Sequence, residues 1–239
     1  MRVVCYFINW NDSFYIPFLH KHYSAFCERI VMYDQYSNDG SRELVESLGI
    51  EVRNFGGHGV LNDQWYLDVK NNCWKECRNQ GIDYVVVVDA DEFVCIPQIN
   101  IKGNEVLNPF PNVTGFNMIS DTFPGKDIFE IKTGSPSESY SKQAIFNPDY
   151  VTEINYVHGC HKNHAVTGVL NGYWSELNCT LYHYRMIGGV HTLLNRHAVY
   201  RSRLSEFNKK FNMGHHYSHS DNAKIDEWNY LMSQATVLF

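Results

Sequence analysis

Short apolar runs alternate with amphipathic stretches along the first hundred residues. The runs at residues 2–8, 29–34 and 50–54 are typical of strands. A further run, Val85 to Val88, is β-branched and apolar on both alternating faces, which is typical of a strand buried on both sides in a parallel sheet covered by helices. The helices predicted between these strands cover residues 13–26, 42–48 and 63–80. This alternation predicts an α/β fold with a mostly parallel central sheet flanked by helices.

The pattern is less regular in the second half of the chain. Residues 114–120, 143–147 and 181–185 are short enough and apolar enough to be strands. The segment 126–142 is polar and rich in Gly, Ser and Pro, so we expect a surface loop there. Residues 190–210 have a helical pattern and many basic side chains. We expect a single domain over residues 1–239, with a smaller antiparallel element in its second half.

Composition narrows the class of protein. With 239 residues, of which 44% are hydrophobic, the chain can bury the core of one elaborated domain. The net charge of -6 comes from interspersed signs and leaves no basic stripe, which excludes nucleic acid as a partner. No apolar run reaches the length of a membrane span. Seven cysteines, an odd number without Cys-x-x-Cys spacing, predict reduced thiols and a cytoplasmic protein.

Two carboxylates directly follow the valine run. Asp89 and Asp91 are two residues apart, so in an extended chain both project to the same side at the carboxyl end of the strand. Ligands bind at that edge of open α/β sheets. Like charges held close together repel unless a cation lies between them, and such oxygens suit Mg²⁺ or Mn²⁺ that also binds substrate phosphates. The pair therefore predicts a metal and diphosphate site, the alternative being solvated loop acids.

Other nucleotide-binding motifs are absent from the sequence. There is no Gly-x-x-x-x-Gly-Lys-[Ser/Thr] loop, and Gly125-Lys126 is followed by Asp127. The first strand is not followed by Gly-x-Gly-x-x-Gly, so a dinucleotide site is disfavoured. Asn9 and Asp34 come at the ends of the first two predicted strands. We therefore expect them along the same sheet edge as the acidic pair.

The first hundred residues resemble the inverting GT-A glycosyltransferases of the family 2 type. The resemblance rests on Asn9 near the end of the first strand, Asp34-Gln-Tyr-Ser37-Asn-Asp39-Gly40-Ser41 after the second, and Asp89-Ala-Asp91-Glu92-Phe93 after the fourth. It implies a GT-A, Rossmann-like fold in which residues 1–97 bind a nucleotide sugar. Residues 98–239 would then form the acceptor-binding half and the C-terminal helices.

The resemblance also implies roles for individual residues. Asp91 matches the direct metal ligand, and Asp89 the carboxylate that faces the ribose or a metal-bound water. His183 matches the histidine that completes the metal coordination in GT-A enzymes, and a mixed carboxylate and imidazole shell suits Mn²⁺; a core histidine bonded to a carbonyl is the alternative. The residues assigned to nucleotide-sugar binding, besides Asp89, are Asn9, Asp34, Lys70, Asn71, Ala90, His158 and His161. His158, His161 and His164 could alternatively bind zinc.

An inverting transferase needs a base for the acceptor hydroxyl. The acid that follows the acceptor strand in the family corresponds best to Asp121, with Asp127 and Glu153 as further candidates. The Glu-Asp pair that commonly marks this base is absent from the sequence.

The expected reaction is the metal-dependent transfer of a monosaccharide, with inversion, from a UDP- or GDP-linked sugar to a glycan or glycolipid acceptor. Such an enzyme would be cytoplasmic or peripheral at the membrane that carries the acceptor. A sugar-phosphate nucleotidyltransferase shares the layout but would need a Gly-rich triphosphate loop, which is absent. A non-catalytic protein that binds nucleotide sugar or glycan is the other alternative, against which the presence of Asp89, Asp91 and His183 argues.

Overall fold

The computed structural model describes residues 1–99, 106–168 and 174–239. The strands are β1 (Val3–Asn9), β2 (Arg29–Asp34), β3 (Glu51–Asn54), β4 (Tyr84–Asp89), β5 (Glu92–Cys95), β6 (Asn112–Ser120), β7 (Thr133–Pro136), β8 (Ile145–Phe146), β9 (Val151–Glu153), β10 (Val166–Thr167), β11 (Asn178–Ile187) and β12 (Thr236–Val237). The α-helices are α1 (Ile16–Tyr23), α2 (Ser41–Ser47), α3 (Asp63–Asn72), α4 (Gly189–Arg203), α5 (Glu206–Lys210) and α6 (Asp221–Gln234). Short 3-10 helices cover Cys73–Cys77, Ile128–Glu130 and His215–Ser218.

The first sheet has the strand order β3-β2-β1-β4-β8. Its first four strands are mutually parallel and β8 is antiparallel to β4. The α/β fold with a mostly parallel sheet is thus confirmed. The register pairs Asn9 with Asp34 and Ile8 with Asp89, so the carboxyl ends of β1, β2 and β4 lie along one edge.

The valine run of β4 is buried on both faces, as its sequence predicts. Val86 and Val88 belong to the core on the side of α1, and Val85 and Val87 to the core on the opposite face with Trp74. None of the four valines is more than 2% exposed. Successive side chains of a strand point to opposite faces, which is why both layers of the core depend on this one segment.

The second sheet has the order β12-β7-β6-β11-β5. β11 is parallel to β6, and the other neighbouring pairs are antiparallel. β5 follows the acidic end of β4 after a two-residue turn, so the chain leaves the first sheet and enters the second at the Asp-x-Asp motif. The register places His183 of β11 beside Glu92 of β5 on one side and Asn117 of β6 on the other.

Three elements differ from their predicted extent. The helix predicted over 63–80 ends at Asn72, whose side-chain amide donates to the carbonyl of Asp68 and so competes with the helical backbone pattern. The helix predicted over 190–210 is interrupted by Ser205, whose hydroxyl accepts from the amide of Asn208 and begins a separate helix. The predicted loop 126–142 contains β7, which pairs with β6.

Two further findings concern cysteines and membrane spans. All seven cysteines are free thiols. Among the helices of the described ranges, none is both long and apolar enough to cross a bilayer.

Candidate active site

A cavity of about 260 Å³ lies at the carboxyl ends of β1 and β4. One part of its lining comes from β1, α3, β4, β5 and the loops that adjoin them, and this part is rich in carboxylates. The other part comes from α4, α6 and the His215–Ser218 turn, and it contributes mainly basic, imidazole and aromatic groups. The acidic lining residues of the first group are Asp12, Asp63, Asp89, Asp91 and Glu92. The predicted sheet edge therefore does border a cavity, and the Asp-x-Asp motif lies in its wall.

Asp91 is almost completely buried, with 1% of its surface exposed. Neither of its carboxylate oxygens accepts a hydrogen bond from any group in the described part of the chain. Its contacts are ionic: Oδ2 touches Nε of Arg185 and lies 3.4 Å from Nε2 of His183. Burial alone would raise the pKa of Asp91, but the Arg185 guanidinium holds it well below its usual range. Asp91 is therefore an anion at neutral pH.

The orientation of His183 is set by its neighbour on β6. Its Nδ1–H donates to Oδ1 of Asn117 over 2.8 Å, and the Tyr140 ring stacks on the imidazole with centroids 3.8 Å apart. With the proton on Nδ1, the lone pair of Nε2 faces the Asp91 carboxylate. Two acceptors at 3.4 Å are stabilised only when a proton or a cation lies between them. A histidine that donates its other ring N–H to a fixed acceptor is the usual arrangement of a metal ligand.

The other two acids of the motif have lysine partners. Lys70, which is 2% exposed, places Nζ 2.8 Å from Oδ2 of Asp89. Lys142 places Nζ 2.6 Å from Oε1 of Glu92, and Glu92 also accepts from the amide of Asp89. Burial would raise the pKa of Asp89, but Lys70 and Lys142 lower it below its ordinary value. Asp89 and Glu92 are thus fixed in place by cations of the protein itself.

Asp91 and His183 fit part of a divalent-cation site. A carboxylate without hydrogen-bond partners and an imidazole lone pair aimed at it are a suitable donor set for Mn²⁺ or Mg²⁺. Within the described ranges, however, no three His, Cys, Asp or Glu side chains converge as a complete metal cluster. Asp89 is held by Lys70, and Arg185 already neutralises Asp91. The described residues offer two ligands here, so the remaining positions would fall to water or to substrate oxygens.

Asn9 and Asp34 lie at the predicted sheet edge but do not line the cavity. The Asn9 amide donates to Oδ1 of Asp34 and to the hydroxyls of Ser37 and Ser41, over 2.9–3.2 Å. Both residues are at most 1% exposed. Their polar atoms hold the loop after β2 against the end of β1. A nucleotide contact from either residue stays a prediction.

The other predicted nucleotide-sugar residues are divided between the cavity and its surroundings. Lys70 and His161 line the cavity, and burial lowers the pKa of His161 to about 4. Asn71 accepts from the backbone amide of Tyr156, and Ala90 is a core residue with 1% exposure. His158 is exposed and does not line the cavity. These assignments too remain predictions.

The three predicted base candidates lie outside the cavity. Asp121 is exposed in the loop after β6. Asp127 caps the short Ile128–Glu130 helix and pairs with Lys21 at 2.6 Å. Glu153 pairs with Lys75 at 2.6 Å. Two of the three carboxylates thus have structural partners, and the geometry brings none of them to the Asp-x-Asp motif.

The sequence interpretation missed much of the C-terminal lining. Leu193, His197 and Tyr200 line the cavity, and with Arg196, a basic residue that the sequence does suggest for diphosphate, their spacing of i, i+3, i+4 and i+7 is that of one face of α4. This spacing was a signal that the sequence offered. The segment after residue 211 also contributes side chains to the cavity lining, and no spacing in the sequence indicates them. These residues are His216, Tyr217, Lys224 and Glu227.

Comparison with known proteins adds little to the geometry. No family model matches the chain, and no curated protein does. Among solved structures, the crystal structure of mannosyl-3-phosphoglycerate synthase from Rubrobacter xylanophilus matches at 19% identity, covering 49% of this chain and 40% of that one, with a TM-score of 0.27. The chain thus spans less than half the length of that protein. A likeness of this size carries no argument about activity, so the function must be inferred from the site itself.

Proposed function

We propose that this protein is a glycosyltransferase that uses a divalent cation, Mn²⁺ or Mg²⁺, to move a monosaccharide from a nucleotide-diphosphate sugar to a glycan or lipid-linked acceptor. The observation that carries the proposal is the pairing of Asp91 with His183. A buried carboxylate without hydrogen-bond partners faces an imidazole lone pair at 3.4 Å, at the carboxyl edge of a parallel sheet. That edge is where α/β proteins bind nucleotides.

The cation, when bound, stabilises the negative charge that develops on the leaving diphosphate. Asp91 and His183 would hold it, and Asn117 keeps the imidazole in the required tautomer. Lys70 restrains Asp89 beside them, so the motif is preorganised before substrate arrives.

Two arginines extend the site toward an anionic substrate. Arg185 lies against Asp91, and Arg196 lines the same cavity, donating to the Tyr15 hydroxyl and to the carbonyl of Arg185. No carboxylate in the described residues pairs with Arg196 within 4.0 Å. Arginine is well suited to phosphate oxygens because its guanidinium presents several donors in one plane. A diphosphate bound beside Asp91 would therefore meet fixed positive charge.

The experiment that tests this proposal is a binding and hydrolysis screen. Thermal unfolding is measured with UDP-glucose, UDP-galactose, UDP-N-acetylglucosamine and GDP-mannose, each with and without Mn²⁺, because a bound ligand raises the melting temperature by mass action. We expect at least one donor to stabilise the protein only with Mn²⁺ and to be slowly hydrolysed. Asp91→Ala should abolish both effects, whereas Asp226→Ala, an exposed change on α6, should keep them. Equal stabilisation of wild type and Asp91→Ala would contradict the proposal.

A non-catalytic nucleotide-sugar or glycan-binding protein is the second candidate. The observation in its favour is the contact of Arg185 with Asp91, because a guanidinium that permanently neutralises the carboxylate would replace the cation. Such a protein would bind nucleotide sugars without Mn²⁺ and would hydrolyse none of them. The same screen separates the two candidates.

A further inference from the structure

We propose that Asp12 is the general base that removes the proton from the attacking hydroxyl. This inference rests on the proposed glycosyltransferase function and names a residue that neither the motif nor the resemblance assigned. Asp12 lines the cavity, is 8% exposed, and shares the guanidinium of Arg185 with Asp91. The two carboxylates contact different nitrogens of that one group.

The loop after β1 holds Asp12 in the cavity wall. Asn11 adopts a left-handed conformation with φ of 52°, which turns the chain immediately before Asp12. The Asn11 side chain is fixed there by two hydrogen bonds of 2.8 Å with Asn38, one donated by its Nδ2 and one accepted by its Oδ1. The backbone amide of Asn11 donates to the Ser37 hydroxyl. The carbonyl of Asp12 accepts from the amide of Tyr15 at the start of α1. The position of the carboxylate therefore depends on two loops of the sheet edge rather than on a free surface turn.

The other cavity carboxylates are less suited to accept a proton. Asp89, Glu92 and Glu227 are each closely paired with a lysine, over 2.6–2.8 Å. Asp63 lies in the first turn of α3 and accepts a hydrogen bond from the side-chain amide of Asn208. Asp91 belongs to the cation site. A carboxylate whose anion is strongly stabilised is a weak base.

Asp12 is held more loosely by its cation. Its oxygens lie 3.2 and 3.4 Å from the terminal nitrogens of Arg185, which must also neutralise Asp91. Burial raises the pKa of Asp12; Arg185 and Arg196 oppose the rise, and the Asp91 carboxylate adds to it. A buried carboxylate with a raised pKa is a stronger base than a solvated one.

The step is a single displacement at the anomeric carbon. The acceptor oxygen forms a bond to this carbon while the bond from the carbon to the phosphate oxygen breaks, and its electron pair leaves with the nucleoside diphosphate. The proton of the acceptor hydroxyl passes to a carboxylate oxygen of Asp12. The products are the inverted glycoside, the nucleoside diphosphate and a protonated Asp12, which then loses its proton to solvent.

Hydrolysis of a donor from the screen, with water as the acceptor, tests the role of Asp12. General-base catalysis contributes about 10²–10⁴-fold, so Asp12→Asn should lower hydrolysis by at least about 100-fold. Calorimetric affinity for Mn²⁺ with the nucleoside diphosphate should change by less than about 10-fold, which is smaller than the loss of hydrolysis, although one charge near the site is removed. Azide is an anionic nucleophile that needs no deprotonation, so formation of glycosyl azide should be unaffected by the variant. Asp226→Asn, an exposed change on α6, is the matched control.

Each departure from this result has a distinct meaning. Unchanged hydrolysis in Asp12→Asn overturns the inference, as does an equal loss of the hydrolysis and azide reactions, which would make Asp12 a positioning residue. Loss in Asp121→Asn but not in Asp12→Asn overturns it in favour of the base predicted from the sequence. A wild-type protein that neither binds nor hydrolyses any donor would instead refute the proposed function. The role of Asp12 is tested by comparing the hydrolysis rate of each variant with that of an active wild type, so the two failures are distinguishable.

Discussion

The Arg185 guanidinium lies against the Asp91 carboxylate with only 1% of the Asp91 side chain exposed. A cation that binds at Asp91 must therefore compete with a positive charge of the protein itself. Burial works against the charged form of Arg185, but Asp12 and Asp91 together raise its pKa well above the ordinary value. In the proposed transferase, metal and diphosphate binding would therefore be coupled, because a diphosphate would offer Arg185 other anionic partners.

Arg185→Gln should uncouple the two ligands. Without the guanidinium, Mn²⁺ alone should bind at least about tenfold more tightly, because the repulsion between the bound cation and the Arg185 charge is removed. A tenfold change in affinity corresponds to about 1.4 kcal/mol. Binding of the nucleoside diphosphate should become weaker. Calorimetry with each ligand separately measures both effects. Arg42→Gln, on the surface of α2, is the control, and a Mn²⁺ affinity that is unchanged or reduced in Arg185→Gln would contradict the coupling.

Lys142→Met should destabilise the fold strongly. Lys142 and Glu92 form an ion pair of 2.6 Å in which neither side chain is more than 2% exposed. Removal of one partner leaves a buried charge uncompensated, which costs about 3–5 kcal/mol. Urea unfolding gives the change in the free energy of unfolding.

The matched control for this ion pair is Lys209→Met. Its pair with Glu206 is exposed on α5, so the loss should be below about 1 kcal/mol. The double variant Lys142→Met with Glu92→Gln should recover part of the lost stability because it leaves no unpaired buried charge. Equal effects of the two single Lys variants would show that the burial of Lys142 has no energetic importance.

The sequence predicts the sheet better than it predicts the site. The run Val85–Val88 is apolar on both faces, and this local property alone determines that β4 is central. The place of Asp91 at the strand end follows from the same pattern. Its partners do not, because His183 and Arg185 lie far along the chain on β11 and reach Asp91 through the pairing of β11 with β5 and β6. Long-range register is not encoded in local periodicity.

The assignment of a base shows the same limit. Asp121 follows a strand, as the resemblance requires, yet its side chain is exposed and outside the cavity. Asp12 follows the first strand by three residues and has no spacing that distinguishes it from a solvated loop acid. What distinguishes it is burial and a shared arginine, which are tertiary properties.

Asn9→Ala separates a structural role of Asn9 from its predicted contact with nucleotide. The Asn9 amide donates to Asp34, Ser37 and Ser41 in a buried cluster, so its removal should cost about 1–3 kcal/mol in the free energy of unfolding. The affinity for nucleoside diphosphate with Mn²⁺ should change by less than about 3-fold if the role is structural. Asn195→Ala, an exposed change on α4, controls for helix and solvent effects. Weakened nucleotide binding with unchanged stability would support the sequence prediction instead.

Acid should destabilise the protein partly through His197, a cavity-lining residue of α4. Its pKa is lowered from 6.5 to about 4 by burial, by Lys224 of α6, by His216, and by Arg201 and Arg185. The His197 imidazole takes up a proton below pH 6.5 in the unfolded chain but only near pH 4 in the folded protein. The free energy of unfolding should therefore fall as the pH drops between these values, by up to about 1.4 kcal/mol per pH unit for this group. Urea unfolding from pH 7 to 4 should show a shallower decline in His197→Gln and an unaltered one in His191→Gln, whose side chain is exposed on the same helix. Identical slopes in wild type and His197→Gln would mean that His197 titrates alike in the folded and unfolded chains.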